Sequence, residues 1–251
     1  MKQVAIIPAR FGSSRFPGKP LAPILGKPLI QWTYEQALQV KDVDGVWVAT
    51  DDARIRDCVA SFGGQALMTR EDHPSGSDRL AEAATLLNLA PEDIVINIQG
   101  DQPVFPPDLI SRLAGFLCRD PGAVMVTPVK RLSDPAAAAN PNTVKVVFDR
   151  AGRALYFSRS PLPFWRNDDQ PYYYRHIGIY AYRVQFLKEF VHLPPGRWEA
   201  AEKLEQLRAL EHGFPIHIVE TDGDTQEVDS PEDLKQVEEF IKRELPSYNF
   251  R

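Results

Sequence analysis

The residues best suited to chemistry lie in a loop near the start of the chain, Pro8-Ala9-Arg10-Phe11-Gly12-Ser13-Ser14-Arg15-Phe16-Pro17-Gly18-Lys19-Pro20. Glycines let backbone N–H groups approach an anion closely, and Arg10, Arg15 and Lys19 can offset the charge of a triphosphate. The spacing matches neither GxGxxG nor the Walker pattern GxxxxGK[ST], so dinucleotide binding and Walker-type hydrolysis both lose support. An ordinary solvated turn is the competing reading. Three cations in one Gly/Pro-ordered loop weigh against it, because such a grouping is unusual without a polyanion.

A second set of candidates is acidic. In Asp93-Ile94-Val95-Ile96-Asn97-Ile98-Gln99-Gly100-Asp101 an apolar run ends in Gly and a carboxylate. Phosphoryl chemistry needs a divalent cation, and Mg²⁺ is typically held by one or two carboxylates plus water, so Asp101 is the best-placed ligand. Taken alone it serves equally well as a turn cap. Asp229, in Gln226-Glu227-Val228-Asp229-Ser230-Pro231, is the candidate partner. Asp222, Asp224 and Glu227 crowd the same segment, and a solvated acidic loop fits that composition too.

These groups need a scaffold, and the hydrophobic pattern supplies one. Val4 to Ile7, Gly45 to Ala49 and Asp93 to Ile98 are short apolar runs rich in β-branched residues, the pattern of strands covered on both faces. Helix-like segments from Leu29 to Leu38, Ile55 to Phe62 and Leu80 to Leu89 separate them, which is the βαβ signature of a doubly wound sheet. The basic loop then falls at the carboxyl end of the first strand, where open α/β sheets bind ligands. Ser77 is the expected cap of the third helix, and Pro106-Pro107 the expected start of another.

The second half changes character. Val144 to Phe148 and Ala154 to Phe157 flank a turn-forming stretch and predict a hairpin. Ser158 to Tyr174 reads as a loop over the sheet. Ile177 to Tyr182 and Ile216 to Val219 read as strands, Glu199 to Leu210 as one amphipathic helix, and Ser230-Pro231 as the start of a last helix.

The 251 residues are 43% hydrophobic and 25% charged, enough to bury a sizeable core, and no linker divides them. A single domain over 1–251 is expected, with a β-rich insertion at about 140–185. A net charge of -5 with scattered basic residues argues against a nucleic-acid face. Cys58 and Cys118 stand alone, so no disulfide framework is indicated. The apolar run before Pro8 is too short for a signal peptide or membrane span, which predicts a cytoplasmic protein without membrane insertion.

At this point the residues resemble a known family, the CMP-Kdo synthetases (3-deoxy-manno-octulosonate cytidylyltransferases) of lipopolysaccharide synthesis. The resemblance runs from Ile6 to about Leu234. Its most specific pieces are Pro8-Ala9-Arg10 with Ser14-Arg15-Phe16-Pro17-Gly18-Lys19-Pro20-Leu21, Ala49-Thr50-Asp51-Asp52, and His73-Pro74-Ser75-Gly76-Ser77-Asp78-Arg79. Gln99-Gly100-Asp101, His176-Ile177-Gly178-Ile179-Tyr180, Leu204-Glu205-Gln206-Leu207-Arg208 and Val228-Asp229-Ser230-Pro231 follow in order.

The resemblance implies a Rossmann-like nucleotidyltransferase fold, three-layer α/β/α with a mostly parallel central sheet. It also implies a homodimer, Mg²⁺ dependence, and transfer of CMP from CTP to the anomeric hydroxyl of Kdo without a covalent enzyme intermediate. Pro8, Ala9, Arg10, Ser14, Lys19 and Gln99 fall on nucleotide positions by this match, and Asp101 and Asp229 on metal positions. Lys19, Arg10, Asp101 and Asp229 make up the implied catalytic set. Arg79, Gln99, His176, Tyr180, Glu205 and Gln206 fall on the sugar pocket. An acid sugar calls for one cation and several neutral hydrogen-bonding side chains, and Arg79 with Gln99, His176 and Tyr180 supplies that set. The same transfer onto an 8-amino or sialic-acid-like acid sugar is the alternative, and a non-catalytic nucleotide-sugar sensor is a more distant one.

Overall fold

A computed structural model describes residues 1–12, 16–166 and 172–244 of the chain. Its first strand, β1 (Gln3–Ala9), sends Val4 and Ile6 into one core and Ala5 and Ile7 into another. A strand apolar on both faces belongs inside a covered sheet. β1 accordingly lies between β4 (Gly45–Thr50) and β6 (Ile94–Asn97), parallel to both, and β5 (Ala66–Met68) adds a parallel strand beyond β4. The side chains of α1 (Leu29–Ala37), α2 (Ala53–Ser61) and α4 (Pro107–Arg119) fill the core on one side of the sheet. Those of α3 (Gly76–Leu86) and α6 (Val184–Phe190) fill the other, which gives three layers, α/β/α.

Past β6 the ten-stranded sheet continues through β11 (Tyr180–Arg183), β7 (Met125–Leu132), β10 (Tyr173–His176), β8 (Lys145–Phe148) and β9 (Ala154–Ser158). β12 (His217–Glu220) pairs in parallel with β7. Strands β9, β10 and β11 run against the common direction of the rest, so the sheet is mostly parallel with a reversed, β-rich end. Arg153 bridges His217, which curls that end back towards β12. The small hairpin of β2 (Pro23–Ile24) and β3 (Lys27–Pro28), with a 3₁₀ turn at Lys19–Leu21, links the basic loop to α1. The short α5 (Pro135–Ala139) follows β7.

The predicted hairpin forms as β8 and β9, with Val146 opposite Phe157 and Gly152 in the left-handed region at φ 73°. Other expectations shift. The cap of α3 is Ser75, whose hydroxyl accepts from the Asp78 N–H at 3.3 Å; Ser77 lies inside the helix, buried. The segment read as one helix from Glu199 is two, α7 (Arg197–Glu202) and α8 (Leu207–Glu211), broken at Lys203 with φ 55°. That break turns Leu204 and Gln206 inward, and both are buried. The run from Ile177 to Tyr182 is also interrupted. His176 faces Val129 and Ala181 faces Val126, so five steps along one chain match three along the other, and Ile177 to Ile179 bulge out of the ladder.

The last helix, α9 (Pro231–Glu244), buries Val237 and Ile241 against Ile24, Leu29, Trp32, Val104 and Val228. This third core clamps the segment carrying the second acidic group onto the body of the protein.

Candidate active site

Two glycines fix where the phosphate-binding candidates stand. Gly18, at φ 73°, donates its N–H to Phe11 O at 3.0 Å and closes the basic loop on itself. A Cβ there would be strained and would meet the Phe11 ring at 3.1 Å. At Gly100 a Cβ would lie 3.0 Å from Pro8 O, so only glycine lets the end of β6 pack this tightly against the end of β1. The carboxyl ends of both strands therefore meet at one place. Pro8, Ala9, Arg10, Lys19, Arg79, Gln99 and Asp101 line a cavity of about 260 Å³ there. Ser14 lies outside the described residues.

Lys19 Nζ donates to Asp101 Oδ2 at 2.6 Å and to Val228 O at 2.9 Å, and stands 4.0 Å from Asp229 Oδ1. The two predicted acids, far apart in sequence, are brought together by backbone pairing. Val228 N–H donates to Asp101 O at 2.9 Å, and Val104 bridges Gln226. Asp233 then ties down the turn into α9 by accepting from the N–H groups of Asp229 and Ser230 at 2.9 and 2.7 Å.

In the sequence Glu227 is one of several crowded acids. In the structure Asp101, Glu227 and Asp229 each offer a carboxylate oxygen within 4.8 Å of the others. Glu227 is exposed. Surrounding protein, then the negative charges of Asp101 and Asp229, nevertheless push its carboxyl up to about 7, with Lys19 and Arg175 opposing. Asp101 Oδ1 is buried and has no hydrogen-bond partner among the described residues.

Gln99 and Asp101 also line a second cavity of about 850 Å³, shared with His176, Tyr180, Gln206, Glu227 and Asp229. A third space of about 500 Å³ adds Glu205, with Arg10, Gln99, Tyr180 and Gln206 again on its wall. Gln99 thus stands where all three spaces adjoin. Glu205 Oε2 accepts from Ser77 Oγ at 2.7 Å, while Glu205 Oε1 and Gln206 Nε2 are buried without partners among the described residues. Burial, helped by Tyr182 and Glu205, drives the Tyr180 hydroxyl well above its ordinary pKa, so it stays a neutral donor.

Arg79 does not join this group. It is buried, paired with Asp51 at 3.3 Å and hydrogen-bonded to Thr69 Oγ1, and it faces the first cavity rather than the one containing His176 and Tyr180. Its charge is matched by Asp51 in this structure. The signal that could have found this pairing is Asp51, at the carboxyl end of β4. The positive groups on the second cavity are instead Arg159, Arg175 and Lys203.

A basic loop after the first strand, a facing carboxylate cluster and an adjoining polar cavity on this sheet suit a nucleotidyltransferase of Rossmann-like architecture. Comparison with known proteins specifies it further. The cytidylyltransferase family model matches residues 4–222, and the chain belongs to that family. The 3-deoxy-manno-octulosonate cytidylyltransferase of Syntrophobacter fumaroxidans is 54% identical over 242 residues, covering 94% of this chain and 96% of that protein. The 8-amino-3,8-dideoxy-manno-octulosonate cytidylyltransferase of Shewanella amazonensis is 49% identical, covering 96% and 99%. A solved structure of CMP:2-keto-3-deoxy-manno-octonic acid synthetase complexed with CTP superposes with a TM-score of 0.92 at 46% identity, over 97% of this chain and all of that one.

Proposed function

We propose that the protein transfers the cytidylyl group of CTP to the anomeric hydroxyl of Kdo and releases pyrophosphate. The observation that carries this reading is the shared wall at Gln99 and Asp101, which joins the cavity under the basic loop to the one lined by His176, Tyr180 and Gln206. Two substrates bound on either side of that wall would meet at the carboxylates. In the reaction the sugar oxygen bonds to the α-phosphorus and gives up its hydroxyl proton to solvent, while the α–β bridging bond breaks and its electron pair leaves with pyrophosphate. Lys19 and Arg10 offset phosphate charge, the loop amides orient it, and Tyr180, Gln206 and Glu205 hold sugar hydroxyls. Positioning and electrostatics then supply most of the rate.

Asp101, Glu227 and Asp229 suit a hard divalent cation such as Mg²⁺: all are oxygen donors, and the unpartnered Asp101 Oδ1 supports the fit. Bound there, Mg²⁺ would supply charge neutralisation at the reacting phosphate.

The continuous sheet supports one domain across 1–251, with about 140–185 serving the sugar site. Leu155 and Phe164, 61% and 87% exposed, support a homodimer contact through that same region. No helix among the described residues is long and apolar enough to cross a membrane. The role proposed for the protein is a cytoplasmic one in lipopolysaccharide synthesis.

The name of the Shewanella amazonensis relative favours a second acceptor, the 8-amino sugar. Pyrophosphate release with CTP and Mg²⁺ tests both: kcat/KM should be larger for Kdo than for its 8-amino analogue, and the reverse order would transfer the assignment to the analogue.

A further inference from the structure

His176 sits at the end of β10 with its ring between Phe157 and Tyr180, at centroid distances of 5.2 and 5.3 Å. Behind it lies Thr127 of β7, fully buried, with its hydroxyl set into the bulge at Ile177 to Ile179. Thr127 Oγ1 is 2.8 Å from Ile179 O, 3.2 Å from Ile177 O and 3.0 Å from His176 Nε2. A hydroxyl has one proton to give. Two carbonyl oxygens face it, and an oxygen pair at 2.8 Å is held together only by a proton between them, so the Thr127 proton is committed to a carbonyl. Towards the imidazole Thr127 then has only lone pairs, and Nε2 must carry a hydrogen to meet them. In a neutral ring this leaves Nδ1 bare.

We infer that Thr127 fixes His176 as the Nε2–H tautomer and thereby presents Nδ1 as a hydrogen-bond acceptor to a hydroxyl of the acid sugar. Nδ1 makes no hydrogen bond among the described residues, and His176 lines the second cavity beside Tyr180 and Gln206. Burial also holds the ring neutral, pushing its pKa down to about 3. A bare acceptor repels a carboxylate and selects a donor, so it would turn a hydroxyl of the sugar towards β10 and its acid group towards the basic side chains across the cavity. Thr127 in this scheme is a positioning residue that never touches the substrate. The ligand side of the inference rests on the proposed acceptor site, whereas the tautomer rests on the protein's own geometry.

Nitrogen–proton NMR on protein carrying isotope-labelled histidine reads the tautomer directly, with His176→Asn identifying the resonance. The expected result is a neutral Nε2–H ring in the wild type. Thr127→Val should lose the fixed tautomer and raise the KM for Kdo about tenfold, the worth of one hydrogen bond, with the KM for CTP unchanged. Thr127→Ser, which keeps the hydroxyl, should restore both. An Nδ1–H ring in the wild type would overturn the inference even if Thr127→Val failed to fold, and so would a Thr127→Val protein with normal tautomer or normal KM for Kdo. If the wild type released no pyrophosphate with CTP and any acid sugar, the functional reading would fall, and the tautomer would still be decided by the spectrum.

Discussion

Lys19 Nζ rests 2.6 Å from Asp101 Oδ2, joining the basic loop after β1 to the carboxylate after β6. Their side chains are 14% and 21% exposed, so the pair is neither solvated nor sealed. Asp229 lies 4.0 Å from the same ammonium, and a polyphosphate bound beside the pair would find both charges already in place.

Replacing Asp101 with Asn keeps the shape of the site and removes its charge. Turnover should fall by on the order of 10²-fold or more, as when one pre-organised charged contact is lost from an active site. Thermal unfolding should shift little, since the side chain is partly exposed. Pyrophosphate release and a melting curve on the same sample check both halves.

Arg79→Met should act through the fold. Arg79 and Asp51 side chains are 5% and 16% exposed, and removing the cation strands a buried carboxylate whose Oδ1 already has no partner. A loss of about 3–5 kcal/mol is expected from urea unfolding. If stability were unchanged while the KM for Kdo rose steeply, Arg79 would belong to the sugar site after all.

Lys145 is fully buried, and its ammonium donates to the carbonyls of Asn140, Thr143 and Arg159 at 3.0, 2.5 and 2.5 Å. It ties the Pro141 to Thr143 wall of the second cavity to the chain beyond β9. Burial lowers its pKa. Lys145→Met leaves those carbonyls without their donor and should cost about 1–3 kcal/mol, with a weaker apparent affinity for the sugar and none lost for CTP. Unfolding and substrate titrations separate the effects.

Stability should also depend on pH through His176. The unfolded chain takes up this proton below about 6.5, the ordinary histidine value, whereas the buried ring resists it until about 3. In that window the unfolded state binds more protons, so the contribution is complete above the upper limit and is lost as pH falls. Unfolding curves collected across the window should show a shallower slope for His176→Asn than for the wild type.

Much of this arrangement was legible in the chain. Short β-branched runs marked β1, β4 and β6 because strands buried on both faces have little choice of composition, and the cationic loop followed the first of them. β7 went unread because Pro128, Lys130 and Arg131 mask it; its outer end reaches beyond the core, where Lys130 pairs with Asp224. The break at Lys203 was invisible because a lysine gives no local sign of a left-handed backbone, which is imposed by burying Leu204 and Gln206. Asp101 and Asp229 could be named as partners, and Asp51 at the end of β4 was a legible partner for Arg79, but the inclusion of Glu227 depends on contacts that no spacing encodes.

One centre built on Lys19, Asp101 and Asp229 is proposed to move the α-phosphate of CTP onto an acid sugar. Phosphorus NMR of the protein with CTP, Mg²⁺ and Kdo tests it most directly. Pyrophosphate and a sugar phosphodiester should grow in equal amounts as CTP disappears. Accumulation of CDP with inorganic phosphate, or CTP left intact in the presence of Kdo and its 8-amino analogue alike, would contradict it.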